Sequence, residues 1–348
     1  MKDQDTSYSS ENDCQDFDQA ALEELLVASI EGLTPSLNTV WERLSSEQRS
    51  EAVKLIGMRH SLALKGLVLT SLSSRNARER ANAVEVLGKL DAEQSVVYIE
   101  PCLEDPDNRV RANAVLLLWD SSPELAKEAL YEMLRSDNMW MRSSAAYVLT
   151  RECNEMFRTD LERLLDDEQD TVREKVIAAL GNLGPGPSEK PLLLILSNEM
   201  THPFIKVEII KALSKMGRGK HSESSSLILQ IAKNEEENDF VRLEAVKVLG
   251  HIGESGAVPL LSDIAACQDV DEYLRVAALE SLGSLGGAQD LLLGLLADPM
   301  EKDIIRERTS ITLGRMGVSD LVPKLRNLLN EENEDLLLSL IARIEEHS

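Results

Sequence analysis

The chain has 348 residues, 43% of them apolar, which is enough to bury a sizeable core, and 61 acidic against 37 basic side chains leave a formal net charge of -24. That charge repels nucleic-acid phosphates and the anionic membrane surface, and it suits a basic protein partner. The four cysteines, Cys14, Cys102, Cys153 and Cys267, form no C-x-x-C pair and have no histidine at zinc-ligand spacing. No run approaches the roughly 18 uninterrupted apolar residues of a membrane span, and the first residues lack a basic region followed by an apolar one. A soluble, cytoplasmic chain with reduced thiols, no membrane insertion and no nucleic-acid partner is expected.

In chain order, residues 1–18 carry six acidic groups, one lysine and little to bury, so a disordered acidic tail is expected ahead of one folded domain over 19–348. Asp18 to Ile30 lies one period before the first regular unit and reads as a degenerate cap helix. A unit then recurs: an apolar residue, Arg, two variable residues, usually Ala, three more, Leu, and usually Gly. With the basic residue as position zero, the anchors are Arg49, Arg80, Arg111, Arg142, Arg173, Lys206, Arg242, Arg275 and Arg306, spaced 31, 31, 31, 31, 33, 36, 33 and 31 residues apart.

Position +3 is mostly small (Ala52, Ala83, Ala114, Ala145, Ala245, Ala278) and +7 is Leu in all units but the first, which has Ile56. Offsets -1, +3 and +7 share one face of a 3.6-residue helix, and a small residue at +3 admits a close neighbour. Between anchors, PELAKEALYEML (123–134), TDLERLL (159–165), AVPLLSDIAA (257–266) and LVPKLRNLL (321–329) each suffice for a second helix. Neither helix of such a pair can bury its apolar face alone, so the pairs must stack along one axis.

Asp107, Asp137, Asp170, Asp239, Asp271 and Asp303 read as caps at the starts of anchored helices, with Pro106, Pro203 and Pro299 nearby. LGNLG, LGHIG, LGSLG and LGRMG (180–184, 249–253, 282–286, 313–317) end on a glycine suited to a left-handed terminus. The longer units coincide with GPGPSEK (184–190), GRGKHSESSS (217–226) and NEEENDF (234–240), which read as enlarged loops. In DLLLSLIARIEEHS, Leu337, Leu340 and Ile344 fall one period after Arg306 and form a terminal cap.

The D-x-x-V-R start, the A-x-x-x-L-G core and the A-V-P-L-L helix resemble HEAT repeats, in particular the short class shared with phycobilisome-lyase-like proteins, over about residues 36–330. The resemblance implies an all-α fold, a right-handed α-solenoid of stacked antiparallel helix pairs. It comprises about ten repeats with degenerate caps, on the order of 90–100 Å long if pairs pack at roughly 9–10 Å. It also implies that each anchor arginine is structural, reaching an Asp near the start of an adjacent repeat while its stem covers apolar surface.

Chemistry-bearing motifs are sparse. GRGKHS lacks the glycine of a phosphate loop, having Ser214 five residues before Gly219. None of the five histidines is followed by Glu, against the iron-binding HEAT-like hydroxylases, and Asp166, Asp167, Glu168 and Asp170 lack the glycine and distal Glu of a calcium loop. No enzyme activity, cofactor or metal is expected.

The units depart from their own pattern in one region. Position +8 is Gly in six units, Ser214 in one, and Trp119 and Thr150 in two neighbouring ones, with which Tyr98, Tyr131, Trp140 and Phe157 cluster. Position +5 should face outward, and there the same two units place Leu116 and Tyr147. Leu116, Trp119, Trp140 and Tyr147, rimmed by Arg109, Arg142 and Arg151, therefore form a candidate protein-binding patch, with Trp119 as an alternative core filler. The reading is a non-catalytic scaffold presenting a concave surface to another protein. The alternative is a lyase or chaperone-type subunit in which this patch stacks on a tetrapyrrole (bilin) and an arginine pairs with its propionates.

Overall fold

The computed structural model describes residues 41–60, 62–217, 222–316, 321–327 and 337–342. The acidic tail, the cap helix expected at Asp18–Ile30, residues 218–221, Gly317 and Ile344 lie outside the described residues, and the end of the Ser-rich stretch expected to be a loop, Glu223–Ser226, is instead helical, capped by Ser222. By its internal contacts the chain divides into two compact units, Met1–Val148 and Leu149–Ser348. Every regular element among the described residues is helical, and no helix among them is long and apolar enough to cross a membrane.

The first unit runs through α1 (Ser46–Met58), α2 (Lys65–Ser71), α3 (Ala77–Ile99), α4 (Asn108–Leu118), α5 (Pro123–Leu134) and the start of α6 (Met139–Arg151). The anchored helices α1, α3 and α4 pack one on the next, with α2 laid against α3 and α5 against α4. They approach closely because the facing residues are small: Ala52, Ala83 and Ala114 are wholly buried, as are Leu87 and Leu118 one turn further along. Asn82 Nδ2 donates to the Ser50 carbonyl at 3.0 Å and Asn113 Nδ2 to that of Ala81 at 3.0 Å, so equivalent side chains tie each anchored helix to the one before. α3 is long because it spans both helices of its repeat. The break is at Asp91, whose carboxylate takes Lys65 Nζ at 2.8 Å.

The second unit holds α7 (Arg158–Arg163), α8 (Asp170–Leu183), α9 (Glu189–Ser197), α10 (Pro203–Met216), α11 (Glu223–Lys233), α12 (Asp239–Ile252), α13 (Val258–Ala266), α14 (Glu272–Leu285), α15 (Gln289–Ala297), α16 (Asp303–Met316) and α17 (Leu321–Asn327). The even-numbered helices from α8 to α16 form the anchored row, and each intervening helix packs on its successor. Residues 337–342 are helical, with Leu337 and Leu340 buried as the period predicts.

Helix starts differ in detail from the sequence expectation. Asp107 and Asp271 do cap α4 and α14, but Asn138 and Asn238 take the capping role expected of Asp137 and Asp239. Asp170 and Asp303 are instead the first residues of their helices, where a carboxylate meets the positive end of the helix dipole. The far ends agree: Gly184, Gly253 and Gly286 have φ of 80°, 76° and 67°, a conformation that costs a residue with a Cβ.

Candidate interaction surface

The anchors come first, because their guanidinium groups compete with any ligand for the same charge. Arg80 forks onto Asp105 with Nε–Oδ2 at 2.7 Å and Nη2–Oδ1 at 2.8 Å, and Nη1 donates to the Ser74 carbonyl at 2.9 Å. Asp105 stands six residues before the next anchor. The same link recurs as Lys206 to Glu237 at 3.0 Å and, deepest of all, as Arg275 to Glu301. Arg49 reaches Glu79 at 3.2 Å.

At other anchors the link changes. Arg111 finds Ser136 at the position equivalent to Asp105, so its Nη2 turns to Glu132 at 2.9 Å and its Nε is left without a hydrogen-bond partner. Arg173 and Arg306 pair with Asp170 and Asp303 of their own first turns, and Arg242 donates to the Ala232 carbonyl at 3.1 Å. Arg142 donates Nη1 to the carbonyls of Ser136 and Asp137, both at 2.9 Å, as Arg80 does to those of Ser74 and Arg75.

The remaining patch residues separate by helix face. Trp140 is 55% and Tyr147 44% exposed. They are seven residues apart on α6, close to two turns, so they share a face. Arg109, exposed, and Leu116, half-buried, stand in the same relation on α4. Asn108 Nδ2 donates to Ser144 Oγ at 2.6 Å, which ties the start of α4 to α6. Positions -2 and +5 therefore form a single outward stripe, and the sequence reading recognised only +5. Trp119 is off that stripe, three residues beyond +5, at the C-cap of α4, and half-buried. Arg151 is exposed as the last residue of α6 and belongs to the second unit.

The glycines at +8 show what Trp119 replaces. A Cβ on Gly181 would lie 2.8 Å from the Ala212 Cα, and one on Gly250 2.6 Å from the Ser281 Cα, so these helices touch backbone to backbone. An indole cannot enter such a contact. α4 ends one residue before it, at Leu118.

Models of HEAT repeats match residues 64–150 and 225–307, and a vitellogenin TPR domain model matches 138–249. No curated protein matches the sequence. Among solved structures, importin beta superposes with a TM-score of 0.55 at 13% identity over 94% of this chain and 54% of its own. Kap95p, solved with RanGDP, does so at 0.58 and 11% identity over 95% of this chain and 53% of its own. The chain thus spans about half the length of either. The CpcE–CpcF phycocyanin lyase from Nostoc is similar at 19% identity over 72% of this chain and 93% of its own, with a TM-score of 0.38. With the repeat register continuing through the interval between the matched segments, the chain is a HEAT-repeat protein.

Proposed function

We propose that this HEAT-repeat chain is a non-catalytic, cytoplasmic scaffold that holds another protein, one with a basic surface, against the outward stripe of the anchored helices of its first unit. The observation that carries this reading is the pair Trp140 and Tyr147, two large aromatics exposed on one helix face and aligned with Arg109 and Leu116 on the helix before. Such a combination of aromatic, aliphatic and arginine side chains is typical of the energetic centre of a protein interface. The net charge of -24 favours a basic partner, and Kap95p, which shares the fold, was solved with a protein bound.

The test is affinity capture from native lysate with cross-linking and mass spectrometry, comparing the unaltered chain with Trp140→Ala/Tyr147→Ala. The double variant should lose about tenfold or more of a specific partner while keeping its helical circular dichroism and melting temperature. Trp119→Ala should behave in the opposite way, losing on the order of 2 kcal/mol of stability, less than a fully packed tryptophan would, while partner capture is retained. Unchanged capture by the double variant, or its unfolding, would overturn the assignment. Titration with a bilin, read by visible absorbance, should give no spectral change at micromolar ligand.

A further inference from the structure

The second unit has an outward aromatic feature of its own. Position -2 of three successive repeats is Phe204, Phe240 and Tyr273, exposed by 45%, 75% and 76%. One exposed aromatic is ordinary; the same register position occupied in three consecutive repeats is a patterned surface. Lys206, two residues after Phe204, holds Glu237, three before Phe240, at 3.0 Å. Lys302 reaches Glu272, beside Tyr273, at 3.4 Å. The first pair sets the start of α10 against that of α12, the second sets the start of α14 against that of α16, and α12 packs directly on α14. Packed helices lie about 8–10 Å apart, so the rings form a row with that step.

The surroundings select the sign of a ligand. His202 Nδ1, Asn238 Oδ1 and Asp271 Oδ1 accept the backbone N–H groups of Phe204, Phe240 and Tyr273 at 3.3, 3.1 and 2.9 Å, so these helix starts have those donors already engaged. Glu235, Glu236 and Asp269 are exposed in the loops between the rings, and Asp239 is exposed as the first residue of α12. Lys206 is buried in its pair, the exposed Lys302 faces Glu272, Lys211 at +5 is held by Glu208 at 2.8 Å, and Lys247 is the exposed cation at +5 of the Phe240 repeat. An apolar row set among exposed carboxylates complements a cationic, apolar ligand.

We propose that this row binds an extended, arginine- or lysine-rich segment of a partner protein in the polyproline II conformation, with an apolar side chain at every third residue. The spacing selects the conformation. A polyproline II chain has three residues per turn and rises about 3.1 Å per residue, so every third side chain faces the same way roughly 9 Å apart, which matches the helix spacing. A β-strand turns every third side chain to the opposite face, and neighbours on one face of an α-helix are only about 5–6 Å apart. The cationic residues between the apolar ones then meet the loop carboxylates. This surface is separate from the Trp140 and Tyr147 stripe and shares with the scaffold reading only the premise that the chain binds protein.

The test is fluorescence anisotropy on the full chain with a fluorescein-labelled peptide of three Leu-Pro-Arg triplets. Saturable binding is expected, at least tenfold weaker for Phe240→Ser/Tyr273→Ser. Glu235→Lys/Glu236→Lys, which leaves the rings in place, should weaken it as much. Three Leu-Pro-Glu triplets should not bind, and three Ser-Pro-Arg triplets should bind at least tenfold more weakly. Trp140→Ala/Tyr147→Ala should bind the probe as the unaltered chain does, so that failure here and failure of the first-unit surface are distinguishable. The proposal is overturned if the Leu-Pro-Arg peptide does not saturate, if the serine peptide binds equally well, or if the ring variant binds unchanged.

Discussion

Arg275 and Glu301, the first on α14 and the second just before α16, form a two-pronged ion pair with Nη1–Oε1 at 2.9 Å and Nη2–Oε2 at 2.6 Å, and each side chain is only 2% exposed. Nε of the same arginine donates to the Ala265 carbonyl at 2.9 Å, so one guanidinium bonds both to α13, just before its own helix, and to the start of the next anchored helix. Burying two charges costs several kcal/mol in desolvation, and this geometry offsets the cost only while both partners are present.

Removing one partner should therefore be far worse than removing both. Glu301→Leu should destabilise the chain by about 3–5 kcal/mol in urea denaturation, because it leaves a buried cation. Arg275→Met/Glu301→Leu should recover most of that loss. A double variant that costs the sum of the two single ones would show that the pair is not energetically coupled.

Acid should act through the same links. Burial by itself would raise the carboxyls of Glu301 and Asp105, but hydrogen bonds from Arg275 and Arg80, with backbone N–H groups of Lys302 and Asp107, hold both below their ordinary values. A folded-state pKa below the unfolded one means that protonation favours unfolding. Their stabilisation is complete above the unfolded carboxylate range, about 4, and is lost as pH falls through the lowered folded values. Thermal melts followed by circular dichroism should drop steeply in that acid window. Asp105→Asn/Glu301→Gln should be less stable at neutral pH and show a shallower acid slope; an unaltered slope would assign the acid sensitivity to other groups.

Two glycines inside helices should respond oppositely to the same substitution. Gly250 faces the Ser281 backbone with no room for a Cβ, so Gly250→Ala should cost about 1–3 kcal/mol by forcing two helices apart. Gly294, within α15, has nothing within 4 Å of the added carbon, so Gly294→Ala should stabilise by up to about 1 kcal/mol through helix propensity. Chemical denaturation of both variants checks the contrast, and equal effects would refute the close-approach argument.

The buried faces were legible from residue type and spacing. Val110, Ala114 and Leu118 are all wholly buried at the offsets that the period assigns, and PELAKEALYEML forms α5 residue for residue. The candidate patch was legible only in part. Tyr147 at +5 is outward as expected, but Trp140 shares its face by a relation two turns long, and that relation also marks Phe204, Phe240 and Tyr273. The concentration of aromatics between Tyr98 and Phe157 drew attention to local density, whereas this second row is one residue per repeat and shows only when the register is followed at -2.

Residue spacing sufficed for the repeat, the all-helical pairing and the buried offsets, because helical geometry converts spacing directly into a face. Tertiary structure alone decided the partner of each anchor, the glycines that meet backbone, the half-burial of Trp119 and the exposure of the aromatic row. Those outcomes depend on what the neighbouring repeat presents at the contact: a carboxylate for Arg80 and Arg275, a serine for Arg111, the backbone of Ser281 for Gly250. A period in the sequence specifies that repeats stack, and the side chains across each junction specify how.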